Sequence, residues 1–150
     1  TDNPVDMNLN IRIPWWITEA CEIKVNDELY TTTEEKTSYV TVSRTFENDD
    51  IVSIRLKKGI TIYPLPDDED MVAFMYGPEV LCGLCDEERT LYFEGDEKPE
   101  NMLIHENERE WGFWRSQFRT KGQDPGMRFL PLNQIGYEKY CVYFPLKYVD

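Results

Sequence analysis

Apolar residues recur in this chain at every second position and almost nowhere at the three-to-four spacing of a helix. Leu9, Ile11 and Ile13 alternate with Asn8, Asn10 and Arg12. Cys21, Ile23 and Val25 alternate with Glu22 and Lys24. Successive side chains of a strand face opposite ways, so each stretch predicts a strand buried on one side and wet on the other. Pro14 ends the first strand, because proline has no N–H for a ladder. Asn26-Asp27 is a turn pair that returns Glu28 to Thr31 as a hairpin partner.

The pattern continues along the chain. YVTVSRTF (39–46) and IVSIRL (51–56) read as strands joined by the polar turn Glu47-Asn48-Asp49-Asp50. Val52, Ile54 and Leu56 share one face. Gly59 precedes Ile60 and Ile62, and a stop is expected at Pro64-Leu65-Pro66. The acidic run Asp67 to Asp70 reads as a solvated loop. Met71 to Met75 and Val80 to Leu84 resume strand character around Gly77-Pro78. In 86–127 charge rises and polar turns break every apolar run; LYF, MLI and WGFW are short strands or ordered loop, and KGQDPGM is a loop. RFLPL and YCVYFPL then restore β composition. These about ten short strands predict an all-β, antiparallel sandwich of two packed sheets. Its parts are 1–85 with 128–150, and 86–127 is an irregular, partly β insertion or small subdomain.

The 150 residues are enough for an ordinary core without disulfide staples. The balance of 16 basic against 29 acidic residues gives a net charge of −13, which repels phosphates. Nucleic acid and anionic membranes are therefore excluded as partners, whereas a neutral carbohydrate is compatible. No apolar run approaches the ~18 residues of a membrane span. The opening TDNPVD has no Met, basic region or apolar region, so no signal peptide is expected. It reads as a processed start or a piece of a longer chain. Cys21, Cys82, Cys85 and Cys141 are too sparse for a disulfide framework, and their lack of pattern leans towards the cytoplasm.

Reaction chemistry is hard to place. A glycosidase needs two acids about 5–9.5 Å apart. With 29 acids, chance pairs abound. Glu87, Glu88, Glu106, Glu108 and Glu110 sit in polar stretches where solvated charge is the ordinary state. His105 is the single histidine, and HENERE is not HExxH, so no second imidazole shares a metal. Cys82-Gly-Leu-Cys85 lies in a strand-like run, whereas redox CxxC pairs sit at helix starts. Alternation places the two thiols on opposite faces unless Gly83 bulges, and structural thiols are expected. No catalytic, cofactor or metal residue is assigned. Trp111, Phe113 and Trp114 cluster with Arg115 and Arg119, as the core of a small insertion or as a platform for a sugar face.

Four segments, taken in order, resemble a known family: LNIRIPWW (9–16), IKVND with YVTVSRTFENDDIVSIRL (23–56), MVAFMYGPEVLCGL (71–84) and RFLPLNQIGYEKYCVYFPL (128–146). They are similar to the C-terminal β-sandwich region of glycoside hydrolase family 127, the bacterial β-L-arabinofuranosidase-like enzymes of carbohydrate metabolism, formerly a domain of unknown function. Phe46 stands where the family has Trp, Asp27 where it has a hairpin Gly, Asn48-Asp49-Asp50 for its Gly-Asp turn, and Tyr76 for the Arg before Gly-Pro. The resemblance implies that catalysis belongs to a preceding (α/α)6 barrel with a cysteine nucleophile, a glutamate and a zinc site. None of those motifs occurs here, so no cofactor is expected in this fragment and zinc belongs to the parent catalytic domain.

The resemblance thus implies a non-catalytic accessory sandwich that packs on and supports the barrel, its partner. One face should then carry an apolar patch. An independent carbohydrate-binding module, with Trp111 and Trp114 as platform, is the alternative; a redox or metal protein using Cys82 and Cys85 is a third. Adjacent Trp15 and Trp16 cannot line one surface of an extended chain. Trp16 matches the family's Trp after proline and is expected to fill a corner of the core. Trp15 has no counterpart and is expected on the outer face, as a contact to the barrel.

Overall fold

The structure, a computed structural model, describes residues 3–94, 98–106, 108–110, 113–115 and 117–149, with the backbone alone for 108–110 and 113–115. The fold is all-β, as the alternation requires. The described residues hold sixteen strands, two short 3-10 turns and no α-helix. They divide into two compact units, 1–59 and 60–150.

The first unit contains β1 (Val5–Ile13), β2 (Cys21–Val25), β3 (Glu28–Thr33), β4 (Ser38–Phe46) and β5 (Val52–Arg55). β1 pairs antiparallel with β4 over its whole length, and β2 lies between β3 and β5 in a second sheet. The two sheets share one core. Ile11, Ile13, Val42 and Phe46 come from the first, Cys21, Ile23 and Val25 from the second, and Ile17 from the connection. This is the two-layer solution for strands that are apolar on one face. The predicted hairpin forms: Asn26 and Asp27 take φ of 51° and 65°, the left-handed pair that a two-residue hairpin turn needs.

Asn26 does more than turn the chain. Its Nδ2 donates to Asp50 Oδ1 at 2.6 Å, and its Oδ1 accepts from the Ile51 N–H at 2.9 Å. Asp50 also accepts from the Glu47 N–H and pairs with Arg44 at 3.2 Å. Two turns distant in sequence are thereby tied by the two Asn26 side-chain hydrogen bonds. The Asn26 bond, then the Glu47 N–H, and also Arg44, hold the Asp50 carboxyl below its ordinary value.

The second unit contains β6 (Ile60–Leu65), β7 (Asp68–Tyr76), β8 (Glu79–Leu84), β9 (Leu91–Glu94), β10 (Leu103–His105), β11 (Glu108–Glu110), β12 (Phe113–Arg115), β13 (Phe118–Thr120), β14 (Arg128–Pro131), β15 (Tyr140–Cys141) and β16 (Tyr143–Val149). A nine-stranded sheet runs β10-β13-β14-β8-β7-β16-β9, with β6 on β7 and β15 on β8. β11 and β12 pair with each other. Among the described residues all pairings are antiparallel except β9 with β16, which is parallel and departs from the purely antiparallel expectation. A parallel partner requires a crossover, and the chain between β9 and β16 provides it.

Segment 86–127, read from sequence as an insertion, contributes β9, β10 and β13 to this sheet, and Leu91, Met102, Leu103 and Phe118 to its core. Of its described apolar residues, Leu91, Met102, Leu103, Phe118 and Met127 are buried, whereas Tyr92 and Ile104 are exposed. The acidic run is likewise not a loop throughout: Pro66-Asp67 is the turn, and Asp68 to Asp70 open β7, because Leu65 pairs Asp68 across a hairpin. β6 tolerates Pro64 because β7 is its only strand partner among the described residues. The outer edge of β9 is capped differently. Gln123 Oε1 accepts from the Tyr92 N–H at 3.0 Å and its Nε2 donates at 2.5 Å to the Tyr92 carbonyl. One amide side chain thus stands in for a neighbouring strand.

Gly83 is where this core is tightest. A Cβ there would stand 2.6 Å from Phe144 Cζ, 2.9 Å from Met127 Sδ and 3.1 Å from Phe129 Cζ. Phe74, Phe129 and Phe144 are fully buried, with ring centroids 5.1–6.5 Å apart.

Candidate functional site

The chemistry-bearing residues singled out from the sequence fall in both units and on different elements. Trp15 is 40% exposed just past β1, while Trp16 packs on the first unit's core. The two tryptophans differ in exposure, and they lie in a turn, where the strand alternation assumed for them does not apply. Trp111 lies outside the described residues. Trp114 and Arg115 are placed by backbone only, in β12, where Trp114 pairs Arg109 and Arg115 pairs Glu108. His105 is exposed at the end of β10, its ring 4.7 Å from Phe118 and 5.8 Å from Tyr76. An aromatic stack is its setting.

Of the CxxC residues, Cys82 is fully buried in β8 opposite Leu130, and Cys85 lies past the strand's end. Cys85 Sγ donates to the Gly83 carbonyl at 3.4 Å. Burial pushes the Cys82 thiol up to about 11, and burial together with a hydrogen bond that the Cys85 thiol makes to the Cys141 side chain pushes Cys85 to about 11. Both environments disfavour the thiolate that redox chemistry or metal ligation requires. Among the described residues no three His, Cys, Asp or Glu side chains are grouped as a metal would need.

No sequence motif marks one further concavity, a trough of about 350 Å³ in the second unit. It arises from strand registers. Ile62 and Pro64 of β6 pair Phe74 and Val72 of β7; Leu146 and Tyr148 of β16 pair Leu91 and Phe93 of β9. Val72 and Leu146 thus continue the core face toward one end of the sheet. There the cover ends, and Phe93, Pro99 and Tyr148 line an open depression together with Glu69 and Asp70. Phe93 and Tyr148 meet edge to face at 5.0 Å, with Tyr148 54% exposed. Residues from four strands and a 3-10 turn (Pro99–Met102) assemble it, which is why no single motif announced it.

The fold that presents these features occurs in larger proteins. A glycoside hydrolase matches with a TM-score of 0.66 at 18% identity, over 94% of this chain and 28% of that one. A GH127 beta-L-arabinofuranosidase from Geobacillus stearothermophilus matches with a TM-score of 0.70 at 17% identity, over 97% of this chain and 27% of that one. The GH127 beta-arabinofuranosidase BT3674 matches with a TM-score of 0.68 at 16% identity, over 98% and 29%. The chain therefore spans between a quarter and a third of the length of these solved structures. Residues 1–58 match the family model of the GH127 middle domain of beta-L-arabinofuranosidase. A comparison with curated proteins finds no match. The matching model describes a middle domain, whereas the sequence resemblance points to a C-terminal one.

Proposed function

We propose that this chain is a non-catalytic accessory region of a GH127-type glycoside hydrolase, that it packs against a catalytic barrel, and that it stabilises that barrel. The observation that carries the reading is the family-model match of residues 1–58, nearly coextensive with the first unit. The second unit is then the accessory β-domain that follows the middle domain. The fold correspondence over 94–98% of the chain, within proteins more than three times as long, supports the same reading.

The first unit also carries the exposed apolar surface that such packing needs. Val5 and Met7 lie on the same β1 face as Leu9, Ile11 and Ile13, yet they are 41% and 44% exposed. The core-facing stripe runs past its own cover, and uncovered stripes of this kind mark contacts. Trp15, 40% exposed, is assigned to the same contact.

The test uses the longer reading frame that encodes this chain. Met7→Ser and Trp15→Ser are introduced there and in the 150-residue chain. Greater loss of thermal stability in the longer protein than in the chain supports the packing role. Equal loss in both, or none in the longer protein, contradicts it.

A further inference from the structure

The trough of the second unit combines an apolar bed, two aromatic rings and two carboxylates, and its donor–acceptor inventory decides what fits. An ionised carboxylate accepts hydrogen bonds and donates none. The charged side chains of the lining are Glu69 and Asp70; no Lys, Arg, His, Asn or Gln is among the lining residues described. An anion is repelled by such a lining. A sugar hydroxyl needs donors as well as acceptors, and beyond the Tyr148 hydroxyl the lining side chains offer none. A protonated amine or a guanidinium has donors only, and it is attracted to aromatic faces.

Three further observations point the same way. Neither Glu69 nor Asp70 has an ion-pair partner among the described residues. Asp67 and Asp68 flank them on the same hairpin, and the chain's net charge of −13 adds to a field that steers cations inward. A volume of about 350 Å³ suits a ligand the size of one long side chain. We propose that the trough binds an organic cation, a protonated amine or guanidinium on a short apolar stem, seated against Phe93 and Tyr148 with Glu69 and Asp70 as its counter-charges. The site belongs to the second unit and does not depend on the accessory role proposed above.

Calorimetric titration of the 150-residue chain tests this with four probes: acetyl-arginine methylamide, acetyl-lysine methylamide, putrescine and the neutral acetyl-citrulline methylamide. The cations should bind and citrulline should not. Glu69→Gln with Asp70→Asn should weaken the cations roughly tenfold through loss of two near-surface charge pairs. Tyr148→Ala should weaken them about threefold through loss of the aromatic face. Glu34→Gln with Glu35→Gln, in the first unit, should change nothing and so separates the site from diffuse attraction to an acidic protein. Tighter binding of the capped amino acids than of putrescine assigns the cation to a polypeptide side chain; the reverse assigns it to a free amine. Citrulline binding as tightly as arginine overturns the proposal. So does cation binding that survives Glu69→Gln with Asp70→Asn. The comparison of probes on the unaltered chain requires no variant to fold.

Discussion

Replacing Gly83 by Ala tests the packing of the second unit at its tightest point. The new methyl would meet Phe144 Cζ at 2.6 Å, whereas ordinary contact begins at 3.4 Å. The Phe144 ring would have to retreat by about 0.8 Å. It is fully buried, and Phe129 stands 5.1 Å away with Phe74 at 6.5 Å, so the displacement is passed to neighbours that are also fully buried. Met127 Sδ, 2.9 Å from the methyl, can rotate; the rings cannot. Overpacking of this kind costs about 1–3 kcal/mol. The lower chain entropy of the unfolded Ala variant offsets about 0.4–1 kcal/mol of that. At roughly 2–4 °C per kcal/mol for a chain of this length, the thermal midpoint should fall by a few degrees, to about 10 °C at most. Gly126→Ala is the control, since its nearest atoms would lie at 3.7 and 3.8 Å. Phe144→Leu should be less harmful in the Gly83→Ala background than alone, a coupling that scanning calorimetry or urea melts can measure. A Gly83→Ala midpoint equal to that of Gly126→Ala, with no coupling to Phe144, would refute the reasoning.

Three further outcomes are expected. Asn26→Ala should destabilise the first unit by about 2 kcal/mol, losing two side-chain hydrogen bonds and straining a left-handed residue, and Asn26→Gly should cost less because it keeps the φ; denaturant melts compare them. Asp50 is held below its ordinary value of 3.8, so its contribution is present above that value and is lost as pH falls through the lower folded value. Asp50→Asn should therefore flatten the acid limb of the stability profile, and an unchanged limb would contradict the assignment. Cys82 and Cys85, with thiols at about 11, should label far more slowly in the native chain than after unfolding in a thiol-reagent assay at pH 8, where roughly one thiol in a thousand is ionised.

Local structure was legible because it rests on local rules. Alternation placed β1, β2 and β4, Asn26-Asp27 made the hairpin, and Pro14 ended β1. What escaped the sequence was long-range pairing. Nothing in Leu91-Tyr92-Phe93-Glu94 announces a parallel partner more than fifty residues away in β16. Nor does the run before Gly59 mark a division between compact units. The trough was hidden for the same reason. Glu69 and Asp70 look like ordinary solvated acids until register brings Phe93 and Tyr148 beside them.

The most direct test of the accessory role is hydrolysis of an aryl β-L-arabinofuranoside by two purified samples: the 150-residue chain, and the longer protein encoded by its reading frame. The account predicts turnover by the longer protein and none by the chain. Turnover by the chain alone, or a reading frame without a catalytic barrel, would contradict it.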